Sequence, residues 1–107
     1  MQRLMNSTSP AQEAARQVKA SEGTLFGLIV YNNNVAAQWI QLHDSASTPA
    51  DTTVPAIVFE ILAQSARSLD LGPLGRRFSA GIYLCNSTTD VTKTLGAADC
   101  LFDAQYV

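Results

Sequence analysis

From Gly23 onward the chain is built of short runs rich in Val, Ile, Phe, Tyr and Thr, separated by clusters of Asn, Gly, Pro, Ser and Asp. That is the pattern of strands and turns, and no helix-period stretch longer than two turns interrupts it. It predicts strands over Thr24 to Tyr31, Val35 to His43, Val54 to Leu62, Ala66 to Leu71, Arg77 to Cys85 and Ala98 to Tyr106. Asn32-Asn33-Asn34 and Gly72-Pro73-Leu74-Gly75 carry the chemistry of tight hairpin turns. Asp44 to Thr53 and Asn86 to Ala97 are too long for such turns and too polar for strands, and are expected to be crossing connections. The expected fold is all-β, an antiparallel β-sandwich of jelly-roll or Greek-key type.

The first 22 residues differ. Ala11 to Ala20 is rich in helix formers, with Glu13 early and Lys19 late, after a polar stretch that ends at Pro10. Its apolar stripe of Ala11, Ala14, Ala15 and Val18 is thin, and isolated helices under about 12 to 15 residues are marginal in water. Residues 1–22 are therefore expected to be an N-terminal arm or short helix that docks on something else, with residues 23–107 as the sandwich body.

Successive strand residues face opposite sides, so each strand splits into two columns. Ile57, Phe59 and Ile61 form one core column, and Phe78, Ala80, Ile82 and Leu84 another. Leu69 and Leu71 oppose Ala66, Ser68 and Asp70, and Cys100, Phe102, Ala104 and Tyr106 oppose Asp99, Leu101, Asp103 and Gln105. The first two strands break this rule. Phe26, Leu28 and Val30 make an inward column, yet Leu25, Ile29 and Tyr31 are apolar on the other face. In the next strand Ile40 and Leu42 face inward while Trp39 faces out. Leu25, Ile29, Tyr31 and Trp39, with Val58 and Tyr83, are thus left over by a sandwich that buries one face per sheet. Burying one such side chain is worth roughly 1.5 to 3 kcal/mol, so a cover is expected. It is either the arm folded back or a subunit or partner, with Trp39 and Tyr31 as aromatic anchors.

Composition narrows the function. The chain has 107 residues and a net charge of −2, with only 15% charged residues. Its cations are scattered, so no basic face for nucleic acid is expected. No run reaches the roughly 18 apolar residues of a membrane helix, and the polar start does not read as a signal peptide. A soluble chain made without export is expected, which makes Asn6-Ser7-Thr8 and Asn86-Ser87-Thr88 chance matches to a glycosylation pattern. One His and two separated Cys do not make a metal set, and the single glycines form no phosphate cradle. Neither a metal nor a cofactor is expected. His43 beside Asp44 lacks a nucleophile elbow and an oxyanion loop, so it reads as a surface or interface residue and the chain as no enzyme. Cys85 and Cys100 fall in opposite columns, which predicts two free thiols. Arg76-Arg77 offers either an edge cap with a solvated neighbour or a fork to a partner carboxylate.

The stretches Gly23-Thr24-Leu25-Phe26-Gly27-Leu28-Ile29-Val30-Tyr31-Asn32, Leu69 to Phe78 with Gly81-Ile82-Tyr83-Leu84-Cys85-Asn86-Ser87, and Thr92 to Cys100 resemble small virion structural proteins of tailed bacteriophages. The resemblance spans about residues 23–107 and brings no assigned site residue with it. It implies an all-β particle protein made in the host cytoplasm and located in the virion. The leading expectation is a capsid cement or decoration protein that bridges major capsid protein subunits, a symmetric homo-oligomer burying Leu25, Ile29, Tyr31 and Trp39 against a sister subunit while the arm and long loops fasten onto the shell. The alternative is a tail-associated adaptor or a module whose Thr-rich loops bind a host glycan.

Overall fold

The computed structural model describes residues 3–107, and all nine of its regular elements are strands. They are β1 (Met5–Thr8), β2 (Ala15–Lys19), β3 (Gly23–Asn32), β4 (Gln38–Asp44), β5 (Ile57–Ile61), β6 (Ser65–Asp70), β7 (Arg76–Phe78), β8 (Ile82–Ser87) and β9 (Cys100–Tyr106). The first sheet runs β1-β9-β3-β6, with β7 also on β3, and the second runs β2-β8-β4-β5. Every pairing is antiparallel. With the three-residue β7 set aside, this order of eight strands in two facing sheets is that of a jelly roll.

Between the sheets lie Leu25, Leu28, Val30, Ile40, Leu42, Ile61, Phe78, Ile82, Leu84, Phe102 and Ala104, each at most 1% exposed. Ile57, Phe59, Leu69, Leu71 and Tyr106 pack against this core from its margins. One end is closed by amides that join both sheets. The Gln38 amide donates to Asn32 Oδ1 (2.8 Å) and Asp99 Oδ1 (2.9 Å). Asn86 in turn donates to Gln38 Oε1 (2.6 Å).

Several expectations are corrected. Residues 11–20 form no helix: Ala15–Lys19 pairs with β8, and a bulge at Val18 turns that side chain into the core at 7% exposure. Helix propensities differ by only tenths of a kcal/mol per residue, and a ready sheet edge with a core site for Val18 outweighs them. The segment expected as an arm thus contributes one edge strand to each sheet. Neither turn makes a hairpin. Residues 33–37 carry the chain from β3 in one sheet to β4 in the other. Gly72 to Gly75 returns it to the edge of β3 it had just left, with Gly72 and Gly75 at φ 81° and 67°. The long segment after β4 joins two neighbours of one sheet rather than crossing, whereas the one after β8 does cross.

Two further corrections follow from local geometry. Leu25 is fully buried and not part of an outer face. On β9, Tyr106 and Gln105 are consecutive, but on β3 their partners Leu25 and Gly27 are two apart, so Phe26 is an inserted residue. Such a bulge shifts the side-chain alternation by one, which places Leu25 on the same side as Leu28 and Val30. The strand expected over Arg77 to Cys85 is two strands in different sheets, broken at Ser79-Ala80-Gly81. The Asp44 carboxylate holds this crossing by accepting the N–H groups of Ser79 (3.1 Å), Ala80 (2.8 Å) and Gly81 (3.3 Å) and the Ser79 hydroxyl (3.0 Å). A β-carbon at Gly81 would lie 2.4 Å from Ser45 O and 2.7 Å from Lys19 O, so only glycine fits there.

Leu25→Ala is expected to cost about 2 to 5 kcal/mol in urea unfolding, and Ile29→Ala, four residues on, less than about 1 kcal/mol; the reverse ranking would contradict the bulge. Asp44 is held below its ordinary pKa, chiefly by the Ala80 N–H, against a smaller opposing effect of burial. Its contribution is therefore full above the unfolded carboxylate range near about 4 and is lost as pH falls through the lower folded value. The stability gap between the natural chain and Asp44→Asn should close on acidification, and a gap independent of pH would contradict the cap.

Candidate functional site

The two outer faces of the sandwich have opposite characters. On the first sheet the outward positions are Asn6 and Thr8 of β1, Leu101, Asp103 and Gln105 of β9, Gly27, Ile29 and Tyr31 of β3, and Ala66, Ser68 and Asp70 of β6. Ile29 is 48% exposed and Leu101 38%. Tyr31, half-buried, pairs with Leu101 on one side and Ala66 on the other, so the three larger side chains form one apolar stripe. Beside Ile29 the stripe opens into a hollow of about 470 Å³ whose lining includes Leu4, Phe26, Gly27 and Pro73. Asp103 accepts the Thr8 hydroxyl at 3.0 Å and borders the stripe.

On the second sheet the outward positions are Trp39, Gln41 and His43 of β4, Tyr83, Cys85 and Ser87 of β8, and Val58 and Glu60 of β5. Gln41, His43, Tyr83, Cys85 and Ser87 are all buried, although they face away from the core. The segments 45–56 and 88–97 fold over them. Gln41 reaches the carbonyls of Thr89 (2.9 Å), Asp90 (3.3 Å) and Thr92 (3.1 Å) with its amide nitrogen. The two segments are bonded to each other, Thr52 N–H to Lys93 O at 2.7 Å and Lys93 N–H to Thr53 O at 2.8 Å. Lys93, 3% exposed, donates to Pro49 O at 2.6 Å and lies 3.4 Å from the Asp51 carboxylate. Tyr83 and Thr48 join their hydroxyls at 3.0 Å.

The residues expected to form one interface are thereby separated. Ile29 and Tyr31 lie on the open face of the first sheet. Trp39, half-buried, and Val58, 39% exposed, lie on the opposite side of the molecule, at the margin of the covered face. Tyr83 is beneath the loop cover and has no spare surface, a correction like that of Leu25. Arg76 lies 5.5 Å above the Phe78 ring, and Arg67 stands likewise over Phe59, donating to Glu60 O at 2.7 Å. Arg77 pairs with Glu22 in solvent, where such pairs contribute little.

His43 is buried, not a surface residue. Its Nε2 meets Gln41 Oε1 at 3.0 Å, and burial first, then the Lys93 charge, lowers its pKa from the ordinary imidazole value. Both thiols are free and buried, Cys85 pushed up to about 11 and Cys100 to about 12, mainly by desolvation. Such thiols are poor nucleophiles. Asn86 is buried in the amide network, which leaves that glycosylation pattern inaccessible in the folded chain. Among the described residues no group of three or more His, Cys, Asp or Glu side chains is placed to hold a metal.

Two features escaped the sequence reading. Leu101 is the one large apolar residue in the wet column of β9, and that irregularity was a usable signal. The buried polar layer on Gln41 and Lys93 had none, because it depends on loops folding back over a sheet.

No protein-family model matches the chain, and no curated protein does. Among solved structures, the coat protein of tobacco streak virus is similar, with a TM-score of 0.45 and 13% identity over 94% of this chain and 85% of that one.

Gln41→Leu would leave three loop carbonyls and the His43 nitrogen without their partner. The expected cost is about 1 to 3 kcal/mol in urea unfolding, with faster amide exchange confined to residues 45–56 and 88–95. Unchanged loop exchange would contradict the role given to Gln41.

Proposed function

We propose that this chain is a structural protein of a bacteriophage particle and performs no chemistry: a capsid cement or decoration protein that stabilises the major capsid subunits it bridges. The observation that carries this reading is the asymmetry of the two outer faces. One is largely covered by the chain's own loops, and the other has no such cover over Ile29, Tyr31 and Leu101. Contiguous apolar surface on a small rigid domain marks a place where another protein sits. The tailed-phage resemblance of residues 23–107 supports the same reading, and the jelly roll supplies a rigid body suited to mechanical work.

In this reading the stripe meets a sister subunit, forming a symmetric homo-oligomer, and the surface around Trp39, Val58, Arg76 and Arg77 meets the shell. Each contact is weak alone. Repetition over identical subunits raises the effective concentration of every further contact, so attachment is strong in sum. The chain is made in the host cytoplasm and works in the virion, without nucleic acid, membrane or cofactor. The glycan-binding alternative gains no support from the loops, since Thr89, Asp90 and Thr92 turn their carbonyls inward to Gln41.

Light scattering on the purified chain should give an oligomer, and Ile29→Asp with Leu101→Asp should give a folded monomer. A natural chain that is monomeric at every concentration would overturn the self-association. Particles lacking the protein should lose their contents at lower temperature and lower salt than complete ones, and equal resistance would overturn the cement role.

A further inference from the structure

The loop cover closes over a group that it leaves unsatisfied. His43 is 2% exposed, and its Nδ1 is buried without a hydrogen-bond partner. The Gln41 amide nitrogen is engaged with loop carbonyls, so its Oε1 faces His43 and accepts from Nε2–H. Nδ1 is then the bare lone pair of a neutral ring. Under the 45–56 segment, next to His43, is a hollow of about 350 Å³ lined also by Pro49, Thr53, Val54, Pro55 and Ala56.

A proton added at Nδ1 would create a buried cationic N–H with no acceptor to receive it. The ionisable groups around the ring do not relieve this. Asp44, next in the chain, is turned away to cap residues 79–81. Cys85, on β8, is an un-ionised thiol at neutral pH, and the Tyr83 hydroxyl is bonded to Thr48. Lys93, from the second loop, adds a like charge, and the Asp51 carboxylate sits against Lys93. From the β5 side the neighbours are Ala56 and Val58, which carry no charge.

The cover also holds one strained residue. Thr52 has φ 78°, a left-handed conformation costly for a β-branched residue, and its N–H bond to Lys93 O holds it there. Opening would release that strain and let water reach the ring. We propose that residues 45–56 and 88–95 form a proton-operated flap: a proton from solvent, taken up by the Nδ1 lone pair of His43, opens it and uncovers the β4–β8 face. The lowered pKa of His43 in the closed state agrees in sign, because closure is then favoured at neutral pH and lost as pH falls below the ordinary imidazole range. This inference is independent of the proposed particle role.

The test is amide hydrogen exchange on the full chain between about pH 7.5 and about pH 5, corrected for the intrinsic pH dependence of exchange. Protection at Thr52 and Lys93 should fall at least about tenfold on acidification, while Val30 and Phe102 in the core keep theirs. In the same samples, Cys85 should become reactive to 4,4′-dithiodipyridine, which works in acid, while core Cys100 stays inert. His43→Gln should hold the flap closed throughout. Should that variant not fold, the natural chain still decides: the His43 ring titration by NMR must share its midpoint with the loss of protection. Unchanged loop protection, simultaneous loss in the core, the same response in His43→Gln, or separate midpoints would each overturn the flap.

Discussion

Strand β3 pairs with β9 along one edge and with β6 and β7 along the other, so the first sheet is assembled around it. Its Phe26 bulge decides what that sheet presents. Before the bulge Leu25 points into the core, and after it Leu28 and Val30 do, while Ile29 and Tyr31 turn outward. Without the inserted residue, Leu25 would join Ile29 on the outside and the core would lose one of its fully buried aliphatic side chains. A bulge also increases local twist and bends its strand, and it lies opposite the point where β6 gives way to β7. The same irregularity therefore sets the core, divides one edge of the sheet and ends the apolar stripe beside the Gly27 hollow.

The two sheets are held by different means at different depths. Between them packing is apolar, with Phe78 and Phe102 as the largest fully buried side chains. At one end uncharged amides take over, since Asn32, Gln38 and Asn86 bond to one another, to carbonyls and to Asp99. Beneath the loops a second polar layer uses Gln41 in the same way. Buried amides that find partners cost little, and here Asn86 Oδ1 is left without one, whereas buried charges need a partner outright. Lys93 is the exception and has two, Pro49 O and Asp51.

How much of this the sequence disclosed depended on whether a residue's fate is local. The β9 columns were legible, because Cys100, Phe102 and Ala104 alternate without interruption and do point inward. The all-β sandwich and the free thiols followed from the same period-two logic. The phase of Leu25 was not legible, since a single inserted residue leaves no mark in a strand that is apolar on both faces. Ala15 to Lys19 looked helical because local propensity is all that a short segment shows, and the β8 edge that captures it lies about 65 residues away. The burial of Tyr83 and His43 was hidden for a related reason. A polar loop that packs on a sheet has the same composition as one that waves in solvent. Ile29 and Tyr31 do face outward as their column implied, Leu101 beside them went unremarked, and Trp39 lies on the outer face of the other sheet.

Low charge on a water-facing chain takes on a definite meaning in this light. Two outer faces would ordinarily each need polar or charged side chains. Here the second is largely covered by loops whose hydroxyls and carbonyls are turned partly inward, so the sheet residues beneath them, Gln41, His43, Tyr83, Cys85 and Ser87, are uncharged polar groups, and the one charge on that face, Glu60, lies outside the cover. The first has no such loop. Its rows set Asp103 directly across from Ile29 and Asp70 across from Gly27, with Tyr31 and Leu101 together in the next row. The chain thus uses its own backbone to cover one outer face, and the apolar side chains of the other stay in contact with solvent. A further charge beside Ile29, Tyr31 and Leu101, next to Asp103, would serve solubility at the direct cost of any apolar contact made there, since an unpaired charge in a closed interface must lose its water.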